Sequence, residues 1–515
     1  MVGHTNIVSA DRGLATQALA VSLRSAAAAT FTVIALISAV GITEGALFAA
    51  PSLLKYVLTV LAPVVGVLLV TVRHPLRLVV TLAIVCIPAA GTNAFFGGVK
   101  VSPLAVILLV GVFIAIVSGP PARSLSSVGA AGLASAALLV GPIIIGKDSG
   151  AAVLIGAMIL VTWLVSRLAQ EGEQGWLVIY GAVVAAALFQ ALLAIYEYKT
   201  KHHVNLYGSA GATQPESSYF GTAAGKAGEV HSTQRPTGTL YDPISLGNVL
   251  AMSCPILLTL ATRSRGLLLK LILAPVGVVI VLALALSFSR FSWIGGAVGI
   301  IVAACSLGSW RQTTLALGTV IATLGIVALL ALATAGKQLI SRVESVANPT
   351  HASNRVTARG DRERVATWAD DVKIFESHPI GGVGLGQIYR PLASYLPHAK
   401  EGTNGQNTYL QVAAEAGLLG ISALVLILST SAKSLTRAVR SSVPLAGGAL
   451  GAGTAVLVVW LTDVSVRYTP VAAFFAIVIG LASAASSDIR YDRERVSASA
   501  SATSPALAAN GGALA

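Results

Sequence analysis

The sequence predicts an all-α polytopic integral membrane protein of about 12–14 transmembrane helices with one large, partly helical extracytoplasmic loop. Three observations carry this. The 515 residues are 55% apolar and only 11% charged, against the ~25% charged residues of an ordinary soluble domain. Apolar runs of near-spanning length recur almost from end to end. Lys and Arg are distributed unevenly between alternate connections.

Fourteen runs approach the ~20 residues needed to cross ~30 Å of hydrocarbon. They cover about 26–43, 54–72, 76–92, 102–118, 128–146, 150–166, 176–196, 244–262, 268–287, 291–308, 313–335, 408–430, 444–462 and 469–486. The pair 128–146 and 150–166 also fits a re-entrant hairpin. The first run lacks a small-residue cleavage site, so it reads as a span and not as a cleaved signal. The three cysteines, Cys86, Cys254 and Cys305, all fall inside apolar runs and have neither disulfide nor metal-ligand spacing.

With fourteen spans the two termini share one side. Sixteen Lys/Arg lie in the termini and the short loops of that side and five in the short loops opposite, so the positive-inside rule makes both termini cytoplasmic. The organisation that follows is a cytoplasmic segment 1–25, a bundle 26–196, an extracytoplasmic loop 197–243, central spans 244–335, a large extracytoplasmic loop 336–407, final spans 408–486, and a disordered cytoplasmic tail 487–515. The net charge of +13 then marks topology and anionic lipid, with no nucleic-acid partner. Small-residue pairs at four-residue spacing, Gly295 with Gly299 and Gly447 with Gly451, suit close helix packing. No internal repeat of the transporter kind is evident.

The long loops carry the functional signal. In 336–407, residues 361–376 read as a helix, with Val365, Trp368, Val372 and Phe375 on one face and Arg362, Asp370, Asp371 and Lys373 largely elsewhere. That face fits either the membrane interface or a small core of the loop itself. The run Ile380-Gly381-Gly382-Val383-Gly384-Leu385-Gly386 follows a helix and lacks a Walker lysine. It is therefore neither a dinucleotide fingerprint nor a P-loop; its glycines suit a tight turn and close backbone approach, with phosphate binding by its amides as the lesser alternative. His202, His203 and His231 in the first loop lack a second ligand pair and indicate no metal site.

Several segments together resemble the O-antigen ligase and O-antigen polymerase superfamily. They are Arg364-x-x-x-Trp368, then His378-Pro379 running into the glycine run, then Asn407-Thr408-Tyr409-Leu410 leading to Glu415-Ala416-Gly417-Leu418-Leu419-Gly420. Upstream, Arg235-Pro236-Thr237-Gly238-Thr239-Leu240-Tyr241-Asp242-Pro243 and Ser287-Phe288-Ser289-Arg290 also fit, so the likeness spans about 235–430. It implies an inner-membrane glycosyltransferase acting on the outer face. Such an enzyme takes a glycan from an undecaprenyl or decaprenyl pyrophosphate carrier and joins it to a glycan, lipid or protein acceptor in envelope or capsular polysaccharide assembly. The resemblance calls for no cofactor, metal or nucleotide sugar. A glycolipid transporter and a non-catalytic envelope scaffold are the alternatives.

That chemistry selects residues. A pyrophosphate leaving group develops negative charge, which fixed guanidinium groups stabilise. Arg235, Arg290 and the family-matched loop residue Arg364 are the candidates, with Asn407 and Tyr409 as further substrate contacts by resemblance. The acceptor hydroxyl must lose a proton to a base. Many family members have His just before the Asn-x-Tyr-Leu segment; here that position is Gln406, which cannot accept a proton. His398 and Glu415 are the candidate bases, with Glu401 a further possibility.

Overall fold

The computed structural model describes residues 74–89, 94–96, 99–101, 103–118, 126–147, 149–200, 235–240, 243–264, 266–347, 355–389, 391–392, 405–443 and 445–487. The expected spans 26–43 and 54–72, both chain ends, His398 and Glu401 lie outside these residues.

The chain is an all-α polytopic membrane protein. In chain order the helices are α1 (Pro75–Cys86), α2 (Pro103–Ser118), α3 (Ser127–Gly146), α4 (Ser149–Ala169), α5 (Glu173–Thr200), α6 (Pro243–Arg263), α7 (Leu267–Leu286), α8 (Arg290–Cys305), α9 (Trp310–Ala347), α10 (Arg355–Ser377), α11 (Thr408–Arg440), α12 (Ala446–Val459) and α13 (Thr469–Ser487). Eight of the described helices are long and apolar enough to cross a membrane, and four shorter apolar ones accompany them. Each of the twelve expected runs from 76 onward has a helix, so α3 and α4 are two separate helices. A two-stranded antiparallel hairpin, β1 (Ala94–Phe96) and β2 (Val99–Val101), joins α1 to α2, where the sequence reading had none.

The polar backbone of each span must be satisfied within the helix, while its side-chain surface sorts into a buried and a lipid-facing part. Helix α6 is the hub, buried along nearly its whole length. It packs on α5, α7, α8 and α12. The two small-residue pairs are one another's neighbours: a Cβ on Gly299 would lie 2.6 Å from the Gly451 carbonyl oxygen, and one on Gly295 2.6 Å from that of Ala455. These glycines let α8 and α12 approach at backbone distance, where dispersion and weak Cα–H contacts replace the hydrophobic effect that lipid cannot supply. Helix α13 is seated on α4, with Gly480 against the Thr162 carbonyl.

Helix α10 turns a polar face inward and leaves Val365 and Val372 outside, which agrees with the membrane-interface alternative and not with a loop core. Its buried residues are Thr367, Asp370, Asp371 and Ile374, spaced i, i+3, i+4, i+7, while Val365 and Val372 are exposed. Periodicity located the helix but not the face that packs, because the partner of α10 is the polar start of α11.

Candidate active site

The site forms where the glycine run meets α11. Helix α11 is broken at Gly417, whose φ of 60° and ψ of −151° are open to glycine and nearly closed to other residues. Residues 379–386 lie along the break and complete its hydrogen bonds. The amides of Val383 and Gly384 donate to the carbonyls of Ala414 and Glu415 at 3.0 and 2.9 Å. The amides of Leu418 and Leu419 donate to the carbonyls of Pro379 and Ile380 at 2.8 and 3.2 Å, and the Leu385 amide to that of Pro142 in α3 at 3.0 Å. The run is thus a close-approach element. The amides of residues 383–385 are spent on carbonyls, which removes the phosphate-cradle alternative for them.

The next amides turn to Glu415. Its buried carboxylate oxygen Oε1 accepts from the Ile388 amide at 3.4 Å and from Gln411 Nε2 at 3.3 Å, and it pairs with Arg467 Nη1 at 3.3 Å. Arg467 ends a short 3-10 turn, Ser465–Arg467. The sequence reading counted it only as an outer-loop charge, and nothing in its immediate sequence marks it as the counter-ion of a residue 52 positions earlier.

Asn407 and Tyr409 hold the start of α11 in place. Asn407 caps the helix, its Oδ1 accepting from the Tyr409 and Leu410 amides at 2.9 and 3.1 Å, while its Nδ2 donates to the Leu461 carbonyl at 2.8 Å. Tyr409 donates its hydroxyl to the Leu457 carbonyl at 2.8 Å. Thr408 bonds the Asp463 carbonyl through both its amide and its hydroxyl.

Asp463 leads from there to the arginines. Its Oδ2 accepts from Asn248 Nδ2 at 2.8 Å; Asn248 Oδ1 accepts from Ser292 Oγ at 2.9 Å, and Ser292 meets Ser289 at 2.7 Å. Ser289 precedes Arg290, the first residue of α8. Arg235 is at the same corner, donating Nε and Nη2 to the Ser287 carbonyl at 3.0 and 2.8 Å. Its guanidinium therefore clamps the end of α7. The Pro236-Thr237-Gly238-Thr239 turn is fixed from α5: Glu197 accepts the amides of Thr237 and Gly238, each at 2.9 Å, and Gln190 that of Thr239 at 2.9 Å. Asn248, Asp463 and Glu197 were not singled out in the sequence because their partners lie 40 or more positions away along the chain.

Arg235 and Arg290 thus meet at one corner, and Asn407, Tyr409 and Glu415 at another, with a buried polar chain between. Arg364 is half-buried on α10, and Trp368, one turn on, donates its indole N–H to the Gln406 carbonyl at 3.3 Å. Asp371, on the inward face of α10, is fully buried, and neither of its oxygens has a hydrogen-bond partner. A Cβ on Gly405 would lie 2.1 Å from its Oδ2. Burial first, then the charges of Glu415 and Asp370, push its carboxyl up to about 8.

A cavity of about 700 Å³ opens at Glu415. Gln411, Thr408, Arg467 and Gly386 line this end, beside Trp460, whose buried indole N–H has no acceptor. The walls are apolar and come from α3, α4, α11 and α13, among them Leu154, Ile155, Met158, Ile427, Phe475 and Ile479. The far end is polar again, with Ser126, Ser166, Arg167, Gln170 and Ser483. Among the described residues no group of three or more His, Cys, Asp or Glu could hold a metal ion.

Residues 275–425 match the family described as O-antigen ligase. This segment belongs to the O-antigen ligase and polymerase superfamily. It covers α8, α10, the glycine run and the broken start of α11, so the O-antigen ligase segment contains Arg290, Arg364, Asp371 and Glu415, while Arg235, Asp463 and Arg467 are supplied by chain outside it. The protein is accordingly an integral membrane protein that contains an O-antigen ligase-type segment. No curated protein matches the chain.

Proposed function

We propose that the protein transfers or polymerises a glycan from a polyprenyl pyrophosphate carrier onto an acceptor at the outer face of the inner membrane. The observation that carries this reading is the cavity: an apolar passage ends beside a buried carboxylate, its arginine partner and an indole N–H without an acceptor. An isoprenoid chain suits the apolar walls and a pyrophosphate suits the polar end. The outer-face assignment rests on the distribution of Lys and Arg.

In the reaction the bond from the sugar anomeric carbon to the pyrophosphate oxygen breaks, and the pyrophosphate leaves with the electron pair. The acceptor oxygen bonds to the same carbon and gives up its proton. Arg467, which lines the cavity, stabilises the charge on the leaving group, and Arg290, from the other corner, is a second phosphate contact for the donor. Glu415 takes the proton: it lines the cavity, is held by its hydrogen bonds, and accepts as an anion. Asn407, Tyr409 and Arg235 fix the frame around it. His398 is the alternative base, and Arg364 is an additional phosphate contact from α10.

The test uses protein purified in detergent with a polyprenyl-pyrophosphate glycan and EDTA. Wild type should release polyprenyl pyrophosphate and lengthen or transfer the glycan, and Arg290→Ala and Glu415→Gln should each abolish this without loss of folding. A folded wild type that leaves the carrier–sugar bond intact with every glycan, lipid and protein acceptor offered would overturn the reading in favour of glycolipid transport.

A further inference from the structure

The cavity has two polar ends, and glycan transfer uses one. The hydrocarbon terminus of a carrier lipid whose pyrophosphate sits at Glu415 has no use for a charged group at the opposite end. Yet the opposite end is built from a buried arginine, Arg167, 6% exposed. Its guanidinium carbon lies 5.9 Å from the Trp163 ring centroid, a cation–π arrangement that keeps the charge in place. Around it are hydroxyls: Ser166 meets Ser483 at 3.3 Å, and Ser483 meets Ser126 at 2.6 Å. Gln170 lines the same end with a buried Oε1 that has no donor. Trp163, at the edge, is 36% exposed, as suits an indole at the level of lipid headgroups.

We propose that the Arg167 end of the cavity binds the anionic headgroup of a membrane phospholipid from the leaflet opposite Glu415, with an acyl chain of that lipid entering the apolar passage while no carrier lipid occupies it. Arg167 supplies the charge for the phosphate, the one hydroxyl proton not spent within the Ser126–Ser483–Ser166 chain donates to its oxygens, and Gln170 Oε1 accepts from a headgroup hydroxyl. Phosphatidylglycerol provides all three. The walls at Leu154, Ile155 and Met158 receive the chain. The inference goes beyond glycan transfer and does not depend on it, since its readout is lipid retention and not turnover.

Delipidated full-length protein is titrated with phosphatidylglycerol or with phosphatidylcholine of the same chains, and retained lipid is counted by native mass spectrometry. Wild type should retain phosphatidylglycerol about fivefold better, the worth of one basic side chain at a lipid surface. Arg167→Gln should erase that preference, and Arg167→Lys should keep part of it. Arg440→Gln, an exposed charge away from the cavity, should leave it unchanged. Ile155→Trp fills the passage and should lower retention of both lipids. Equal retention of the two lipids by wild type would overturn the proposal. So would loss of preference in Arg440→Gln as complete as in Arg167→Gln. If Arg167→Gln does not fold, Ile155→Trp decides: undiminished retention in that variant overturns the proposal.

Discussion

The Gly384 amide donates to the Glu415 carbonyl at 2.9 Å, across a break in α11 that Gly417 makes. The glycine-run loop and the span are therefore joined by backbone hydrogen bonds, and the side chain of Glu415 is aimed by residues on both sides of the join.

Gly417→Ala should be severely destabilising. The backbone there is one an L-residue rarely adopts, and a Cβ would lie 2.4 Å from the Ile380 carbonyl oxygen. A cost of about 2–3 kcal/mol or more is expected, read as a lower Tm in detergent together with loss of activity.

Arg467→Ala should leave Glu415 buried without its cation, while Arg467→Ala combined with Glu415→Gln should recover stability. Arg467 keeps 30% of its side-chain surface in solvent, so the single change should cost less than the ~3–5 kcal/mol of a fully buried broken pair. Tm values of the four proteins in the cycle give the coupling; additivity would mean that the 3.3 Å pair contributes nothing.

Asp371 predicts the pH dependence of stability. Its folded carboxyl titrates near 8, well above the ~3.9 of an unfolded aspartate. Between those values the folded state holds a proton that the unfolded state has released. Stability from this group therefore falls as pH rises, by up to about 1.4 kcal/mol per unit, and levels off above about 8. Asp371→Asn should flatten this part of the profile and raise Tm at neutral pH. An unchanged slope in the variant would show that the proton sits elsewhere.

Arg235 and Arg290 should separate by readout. Arg235→Ala removes two hydrogen bonds to the Ser287 carbonyl and should lower Tm by an amount corresponding to about 1–3 kcal/mol. Arg290→Ala should abolish transfer with little change in Tm. The reverse pattern would exchange their roles.

The spans were legible because a bilayer demands long apolar helices, and each run from 76 onward has a helix, eight of them long enough to cross. The glycine run was legible as a close-approach element because four glycines within six residues have few other uses. The packed face of α10 was not: the apolar pattern fitted either the membrane interface or a loop core, and burial follows Asp371 and Thr367, which meet the polar start of α11. Arg467 and Asp463 escaped for a related reason. A residue's partner across 52 positions of chain is fixed by helix packing, and neither charge has local company that would mark it. Arg290 and Glu415 stood out because a charge at the edge of an apolar run is costly and so needs a cause.

The break at Gly417 also bears on how the protein is made. In an unbroken α11 the amides of Leu418 and Leu419 would pair with the carbonyls of Ala414 and Glu415, four residues back; in the folded protein residues 379–386 replace both bonds. The segment that satisfies them, residues 379–386, precedes α11 in the chain and has already left the ribosome when α11 emerges. A continuous helix satisfies the span until that segment docks, so the break at Gly417 belongs to the folded state and not to the helix alone.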